Sequence, residues 1–523
     1  MNIARELIDR AARVLAVLAL GCGPGVGWGQ TEGAGAASGV TFTTLRGLDS
    51  QAAPLAGLVQ GTDGDLYGTT ALGGTNCSNA GGCGTIFKIT PSGALTTVYS
   101  FCDQTSCADG EYPYAPLVQA TNGELYGTTL RGGVSCKALF ESCGTIFKIS
   151  PLVHRIDPYR LAGHKAASPG ETLTTLYRFC AEHGCPDGDA PYVGLVQGAD
   201  GNLYGTTTYG GVGSNCPSPD GCGTVFRITL DGTLTTLYSF CSQTGCADGA
   251  NPGGALIQAT DGNLYGTTMN GGAGTVFRIT LSGTLQTLYN FCSQSDCTDG
   301  KNPQSTLVQA SDGNLYGTTP SGGAGDAGTI FKISLNGAFE NIHSFCLQVP
   351  CADGTNPVAG LVQASDGDLY GITLLGGANG SNATIFRISP AGMLTVLYTF
   401  CTQDTCEDGQ TGQTPQGGLV QATDGKFYGT TSFDATVFSL SVGLGPFVKT
   451  LPTMGVAGEM VTILGYGLSG TTSVTFNGAP ATVFYGTATV IHAQVPAGAK
   501  TGNIQVVTPT GTLTSNVAFE VLP

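Results

Sequence analysis

The sequence is poor in the residues that usually carry enzyme chemistry. It contains a single tryptophan, Trp28, and five histidines that are scattered along the chain. Neither an HExxH zinc motif nor a nucleophile-elbow motif is present. These shortages argue against a histidine metal site and against a Ser-His-Asp triad, although a triad can also assemble from distant loops.

Basic residues are scarce as well. The chain has 20 Lys and Arg against 36 Asp and Glu, which gives a formal net charge of −16. Contacts with phosphate groups need clustered Lys and Arg, so this charge argues against nucleic acid and against an anionic membrane surface as partners.

A long hydrophobic run is also missing. The apolar stretch from Val14 to Gly21 is too short to span a bilayer as a permanent helix, and Arg5, Arg10 and Arg13 precede it. This arrangement predicts a signal peptide and flexible leader over residues 1–30, no transmembrane segment in the mature chain, and a secreted or cell-surface protein. An alternative is a lipoprotein attached through Cys22.

Cysteine, in contrast, is abundant. Without Cys22, 18 cysteines remain and form nine local pairs, and this even number predicts disulfide bonds in an exported protein. A structural zinc site is the alternative, but such a site requires four converging ligands, and its cysteines are usually closer together in sequence. The predicted pairs are Cys77 with Cys83, Cys102 with Cys107, Cys136 with Cys143, Cys180 with Cys185, Cys216 with Cys222, Cys241 with Cys246, Cys292 with Cys297, Cys346 with Cys351, and Cys401 with Cys406.

One eight-residue motif recurs along the chain. DGNLYGTT begins at Asp200, Asp261 and Asp312, and close variants begin at Asp63, Asn122, Asp366 and Asp424. The tyrosines of the seven copies are 51–78 residues apart, a period typical of propellers and solenoids. Short runs rich in Val, Ile, Thr, Tyr and Phe surround each copy and alternate with Asp-Gly turns, which predicts four antiparallel strands in each repeat.

The strand count predicts an all-β fold with a closed ring. Six repeats end in a fourth strand of the LTTLYSF type, whereas the seventh ends at Leu440 without one, and a similar run stands alone at Thr41. Residues 40–441 are therefore predicted to form a seven-bladed β-propeller closed by the N-terminal strand. Residues 445–523 lack cysteine and are predicted to form a small β-sandwich.

Strand alternation sorts the connections onto two faces. Most links on one face are short turns, whereas the links on the other face are long and hold all nine cysteine pairs. An insertion at residues 151–170 breaks the pattern on the plain face, and it is interpreted as a surface insertion or a docking loop.

Both regions resemble known families. The pattern GLVQ…DGNLYGTT…GTVFRIT resembles the GloVer tandem repeat of bacterial surface and secreted proteins, over about residues 40–440. The C-terminal pattern VTILGYGLSG…SVTFNGAPA…VPAGAKTGNIQVVTPTG resembles an IPT/TIG domain. The resemblance implies an immunoglobulin-like fold, which acts in extracellular bacterial proteins as a spacer or adhesion module.

The carboxylates of the sequence are interpreted mainly as structural. The repeated Asp-Gly pairs lack the alternating oxygen ligands of a calcium loop, so no metal and no cofactor is predicted. Six aspartates in the long loops are interpreted as loop caps, with metal or ligand contact as the alternative. They are Asp109, Asp187, Asp248, Asp299, Asp353 and Asp408.

The function is predicted as binding or adhesion, with the propeller recognising a glycan or a surface protein and the sandwich acting as a spacer in a monomer. A candidate ligand patch consists of Tyr112, Tyr114, Asp189, Tyr192 and Tyr209, all in loops of the disulfide-rich face, with packing between neighbouring repeats as the alternative interpretation of the tyrosines. The alternative is an extracellular enzyme on a propeller scaffold, a lyase or lactonase-like hydrolase with a metal at the channel mouth. Fold alone does not decide between them.

Overall fold

The computed structural model describes residues 36–49, 51–76, 82–133, 143–150, 172–377, 382–400, 415–432 and 434–522. The predicted signal peptide with Cys22, the insertion at 151–170, Asp408, and the cysteines Cys77, Cys136, Cys401 and Cys406 lie outside these ranges. Strands dominate, and the helical elements of the described chain are three single 3-10 turns, so the all-β prediction is confirmed. These turns are Thr105–Cys107, Thr244–Cys246 and Ser295–Cys297. Among the described residues, no helix is long and apolar enough to cross a membrane.

The first strand, β1 (Thr41–Gly47), precedes the repeats, and each repeat then contributes its own antiparallel sheet. Within a sheet the strands are named A to D in chain order. Repeat 1 contains β2 (Val59–Gln60), β3 (Leu66–Thr70), β4 (Thr85–Ile89) and β5 (Leu95–Ser100). Repeat 2 contains β6 (Val118–Gln119), β7 (Leu125–Thr129), β8 (Thr145–Ile149) and β9 (Leu173–Arg178). Repeat 3 contains β10 (Val196–Gln197), β11 (Leu203–Thr207), β12 (Thr224–Ile228) and β13 (Leu234–Ser239).

The later repeats follow the same order. In repeat 4, β14 (Ala250–Pro252) adds a fifth strand that pairs with strand B; the others are β15 (Ile257–Gln258), β16 (Leu264–Asn270), β17 (Thr275–Ile279) and β18 (Leu285–Asn290). Repeat 5 contains β19 (Val308–Gln309), β20 (Leu315–Thr319), β21 (Thr329–Ile333) and β22 (Phe339–Ser344). Repeat 6 contains β23 (Val362–Gln363), β24 (Leu369–Thr373), β25 (Thr384–Ile388) and β26 (Leu394–Thr399). Repeat 7 contains β27 (Val420–Gln421), β28 (Phe427–Thr431) and β29 (Thr436–Ser441).

The recurring motif has a structural explanation, which repeat 3 illustrates. The Asp200 carboxylate closes the A–B turn by accepting hydrogen bonds from the backbone N–H of Asn202 at 3.1 Å and from the Tyr204 hydroxyl at 2.8 Å. A Cβ on Gly205 would lie 2.6 Å from the Phe226 ring, so the residue after the tyrosine must be glycine for the strand C phenylalanine to fit. The tyrosine–aspartate hydrogen bond recurs in repeats 1 and 4–7, and the close approach of glycine and phenylalanine recurs in all seven. In repeat 2 the Tyr126 hydroxyl instead donates to Glu124 and accepts from Asn122.

Consecutive sheets are joined by apolar cores and by strand A glutamines. Each core cluster combines residues of two consecutive repeats, and one cluster combines repeat 7 with repeat 1. Each strand A glutamine accepts a hydrogen bond from a backbone N–H in the A–B turn of the preceding repeat. Gln60 of repeat 1 accepts the corresponding bond from Thr423 of repeat 7, at 2.9 Å.

The sheet of repeat 7 takes its outer strand from the other end of the repeat region. The strand order is β1-β29-β28-β27, and β1 pairs antiparallel with β29 from Thr41↔Ser441 to Gly47↔Thr436. Phe42 anchors β1, because its buried ring stacks on Tyr398 at a centroid distance of 4.2 Å and on Phe438 at 5.0 Å.

The C-terminal region consists of two four-stranded sheets and a parallel strand pair. One sheet has the order β30-β32-β36-β35 and the other β34-β33-β37-β38, while β31 pairs with β39. The strands are β30 (Val448–Leu451), β31 (Met454–Gly455), β32 (Met460–Gly465), β33 (Ser473–Phe476), β34 (Ala479–Pro480), β35 (Thr482–Gly486), β36 (Val490–Gln494), β37 (Ile504–Thr508), β38 (Gly511–Thr514) and β39 (Glu520–Val521). Both sheets contribute to one apolar core.

Lys449 of β30 joins this region to the repeats. In repeats 1–6, strand C carries a Lys or Arg beside the recurring motif of strand B, whereas repeat 7 has Ser439 at the equivalent position. The partly buried Lys449 side chain donates from its ammonium group to the Gln421 carbonyl of repeat 7 and acts electrostatically on Asp424. A second contact runs from the Thr489 hydroxyl to the Thr62 carbonyl of repeat 1, at 3.3 Å.

Candidate functional site

The two ends of each repeat sheet differ, as repeat 3 shows. The turn end carries the short A–B and C–D turns at residues 198–202 and 229–233, and the loop end carries the long connections at residues 208–223 and 240–256. Disulfide bonds occur in the loop-end connections. Those whose two cysteines are both described are Cys102–Cys107, Cys180–Cys185, Cys216–Cys222, Cys241–Cys246, Cys292–Cys297 and Cys346–Cys351. Cys83 and Cys143 are also disulfide-bonded.

The loop-end aspartates cap their own loops. Asp248 is fully buried and accepts hydrogen bonds from the Tyr238 hydroxyl at 2.8 Å and from the backbone N–H of Ser242 at 2.9 Å. Burial raises the pKa of Tyr238, and the bond to Asp248 raises it further. The same arrangement holds Asp109, Asp187 and Asp299, and His343 replaces the tyrosine at Asp353.

Two of the predicted ligand residues form an aromatic pair. Tyr114 and Tyr192 come from equivalent positions of consecutive D–A loops, and their ring centroids lie 5.5 Å apart with an interplanar angle of 31°. Both side chains are partly buried, and this burial raises the pKa of both hydroxyls, so both stay protonated at neutral pH. The pair therefore offers apolar ring surface together with hydrogen-bonding hydroxyls.

A third predicted residue, Tyr112, lies beside two charged residues, Glu111 and Arg131, that no sequence motif indicates. The exposed Arg131 guanidinium carbon is 5.6 Å from the centroid of the Tyr112 ring. The backbones of Glu111 and Arg131 exchange hydrogen bonds at 2.9 and 3.1 Å. Burial raises the pKa of Glu111, whereas Arg131 lowers it.

These five residues are named the loop-end cluster: Glu111, Tyr112, Tyr114, Arg131 and Tyr192. Arg131 and Tyr112 both act electrostatically on the Tyr114 hydroxyl, which links the two halves of the cluster. Glu111 and Arg131 come from different connections, and only the pairing of their backbones brings them together. Their proximity therefore leaves no signal in the local sequence.

Asp189 and Tyr209 occupy the position equivalent to Glu111 and Arg131, one repeat further on. Their backbones exchange hydrogen bonds at 2.9 and 3.0 Å. Asp189 is 4% exposed, so its carboxylate is covered rather than presented to solvent, while Tyr209 is partly exposed. The equivalent backbone pairs of later repeats are Ala250 with Asn270, Lys301 with Ser321, and Thr355 with Leu375. Among these pairs, only Glu111 with Arg131 joins two charged residues and only Asp189 with Tyr209 joins a charged and an aromatic residue.

Solved structures resemble the chain only distantly. A protein provisionally described as a gluconolactonase is 11% identical with a TM-score of 0.38, covering 79% of this chain and 95% of its own. The extracellular domain of a hybrid two-component system protein from B. thetaiotaomicron is 10% identical with a TM-score of 0.45, covering 82% and 46%. A protein from Bacteroides uniformis, provisionally described as a 6-phosphogluconolactonase, is 16% identical with a TM-score of 0.41, covering 71% and 94%.

Family comparisons are more specific. No curated protein matches the sequence significantly. Residues 447–521 match the IPT/TIG domain, which confirms the resemblance of the C-terminal region. Residues 30–273 and 216–442 match the Gloeobacter/Verrucomicrobia repeat, so this match covers most of the chain. The chain belongs to the Gloeobacter/Verrucomicrobia repeat family and ends in an IPT/TIG domain.

Proposed function

We propose that the protein is an extracellular binding protein whose seven repeats form a closed seven-bladed β-propeller. Closure is supported by the pairing of β1 with β29, by the core that combines repeats 7 and 1, and by the Thr423–Gln60 hydrogen bond. The propeller comprises residues 40–441 and the immunoglobulin-like domain residues 445–523. Residues 1–30 are a signal peptide and leader, and the disulfide-bonded loops support export because disulfides persist in oxidising compartments.

The loop-end cluster binds the ligand, and carbohydrate is the ligand class that fits it. The observation that carries this assignment is the Tyr114–Tyr192 ring pair with Tyr112 and Arg131 beside it. Aromatic rings offer apolar surface to the C–H face of a sugar, while hydroxyl, guanidinium and carboxyl groups can bond its hydroxyls. The IPT/TIG domain acts as a spacer, and the protein acts as a monomer.

A glycan array probed with the full mature chain tests this function. The expected result is binding to a defined set of glycans, weakened at least tenfold by Tyr114→Ala and by Tyr192→Ala, because buried aromatic contacts dominate recognition. Tyr466→Ala is the matched control, since Tyr466 is 59% exposed in the C-terminal domain and should leave binding unchanged.

Two outcomes would overturn the proposal. One is glycan binding that both tyrosine variants retain at full strength, which would remove the loop-end cluster from recognition. The other is an array without binding, together with tightly held calcium or zinc in elemental analysis of the oxidised protein. That result would favour an enzyme on the same scaffold.

A further inference from the structure

Repeat 3 brings four sulfur atoms together from two separate connections. The Cys216–Cys222 disulfide belongs to the B–C connection and the Cys241–Cys246 disulfide to the following D–A connection. The Sγ atoms of Cys216, Cys222 and Cys241 all lie within 4.8 Å of one another, and Cys246 is bonded to Cys241. The two disulfides therefore lie close together, which their sequence spacing alone does not reveal.

The surroundings of these sulfurs suit a buried metal centre. Cys222, Cys241 and Cys246 are buried, while Cys216 is partly exposed and leaves a route from solvent. The Asn215 carbonyl of the B–C connection lies 3.7 Å from the Sγ atoms of both Cys241 and Cys246.

The distances match the needs of a thiophilic cation. Tetrahedral zinc binds thiolates at about 2.3 Å, which requires its sulfur ligands to be about 3.8 Å apart. The Sγ atoms of Cys216, Cys222 and Cys241 lie within 4.8 Å of one another, and breaking the S–S bonds allows each bonded pair to separate toward this distance.

We propose that repeat 3, once its two disulfides are reduced, binds one thiophilic divalent cation such as Zn²⁺ through Cys216, Cys222, Cys241 and Cys246. Two molecules of a dithiol supply the electrons and protons. Each dithiol delivers two electrons and two protons to one disulfide and becomes a cyclic disulfide itself. The cation then displaces the four thiol protons, which leave to solvent, and holds four thiolates.

The bound cation ties together parts of the chain that the disulfides leave separate. Each disulfide closes a loop within a single connection, whereas a cation shared by all four sulfurs joins the B–C connection to the D–A connection. Metal binding should therefore stabilise the reduced protein, because the unfolded chain does not hold the four thiolates in place.

Other repeats provide a partial parallel and a control. In repeat 1 the Sγ atoms of Cys83, Cys102 and Cys107 and a Glu111 carboxylate oxygen also converge within 4.8 Å. In repeat 4 the disulfide Cys292–Cys297 lies in a D–A connection, and the B–C connection of that repeat carries no cysteine.

The test compares the reduced full chain with two double variants. The protein is reduced with excess dithiol without oxygen, freed of reductant and titrated with Co²⁺ and Zn²⁺. Bound equivalents are measured by elemental analysis, and the Co²⁺ spectrum reports tetrahedral thiolate ligation. We expect Cys216→Ser/Cys222→Ser to bind one equivalent less than the wild type, and Cys292→Ser/Cys297→Ser to bind the same number as the wild type.

Circular dichroism and thermal unfolding keep the test decisive if reduction loosens the fold. A higher unfolding temperature of the reduced wild type with Zn²⁺, or recovery of a folded spectrum on adding Zn²⁺, supports the site when the Cys216→Ser/Cys222→Ser variant lacks the effect. Equal metal binding by the wild type and that variant would overturn the proposal. So would a reduced wild type that binds no metal, or one that stays unfolded with it.

Discussion

The turn end and the loop end of the repeats differ in how far their side chains recur, because the loop end repeats its disulfides and aspartate caps but varies the residues beside them. At the turn end the same contacts recur: an aspartate or asparagine at the A–B turn, a tyrosine that bonds it or its neighbour, and a glutamine that reaches the preceding repeat. At the loop end, equivalent positions hold Glu111, Asp189, Lys301 or Thr355. Repetition therefore marks the residues that make the fold, and the residues that differ between repeats are the ones available for recognition.

The residues that recur in the repeats, together with β1, form a framework. The largest difference in stability between this framework and the loop end is expected at Phe42. Phe42→Ala should lower the free energy of unfolding by about 3–5 kcal/mol, because it removes a buried ring that stacks on two others and holds β1 in place. Leu375→Ala is the loop-end control, since Leu375 is 43% exposed and should cost less than about 1 kcal/mol. Urea unfolding of both variants measures the difference, and equal losses would remove the distinction.

Much of the framework could be predicted from sequence because its signals are local. The turn at Asp200, the strand around Tyr204 and the spacing of Cys241 and Cys246 are each contained in one short segment. The role of Gln258 could not be predicted, because its partner is the backbone of Ala199 in the preceding repeat.

The candidate site was predicted only in part for the same reason. The composition of the loops indicated Tyr114 and Tyr192, but the approach of Arg131 to Tyr112 depends on pairing between two connections. The role of Lys449 could not be predicted either. It lies after the last repeat and supplies the cation that strand C of repeat 7 lacks.

The turn end of repeat 7 depends on Lys449, which belongs to the C-terminal domain, and this contact can be tested separately from the loop end. Burial lowers its pKa from 10.5 to about 8, with Asp424 opposing this effect. Between pH 8 and 10.5 the unfolded chain binds a proton that the folded chain does not. The contribution of this group to stability should therefore rise with pH across that window, by at most about 3 kcal/mol, and be lost as pH falls through 8.

The measurement is urea unfolding of the wild type and Lys449→Met from pH 7.5 to 10.5. The stability of the wild type relative to the variant should increase with pH. Lys500→Met is the control, because Lys500 is exposed and its replacement should change the free energy of unfolding by less than about 0.5 kcal/mol. A constant difference for Lys449→Met would show that the ammonium is not buried in solution.

A smaller effect is expected from the glycine of the motif. Gly205→Ala should destabilise the protein by about 1–3 kcal/mol, because the added methyl group would lie 2.6 Å from the Phe226 ring and 2.8 Å from Leu195. Gly445→Ala, where no atom lies within 4 Å of an added Cβ, should change stability by less than about 0.5 kcal/mol. Thermal unfolding compares them, and a neutral Gly205→Ala would mean that the core yields more easily than its packing indicates.

The smallest difference in stability is expected when one tyrosine hydroxyl is removed at the turn end and one at the loop end. Tyr204→Phe removes the 2.8 Å hydrogen bond to Asp200 and should cost about 1 kcal/mol, because the carboxylate loses one partner while the ring keeps its place. Tyr112→Phe at the loop end should cost less than about 0.5 kcal/mol, since its ring, rather than its hydroxyl, faces Arg131. Urea unfolding of the two variants provides the comparison. If Tyr112→Phe proved the more costly change, the loop end would be part of the framework, and its variation between repeats would need another explanation.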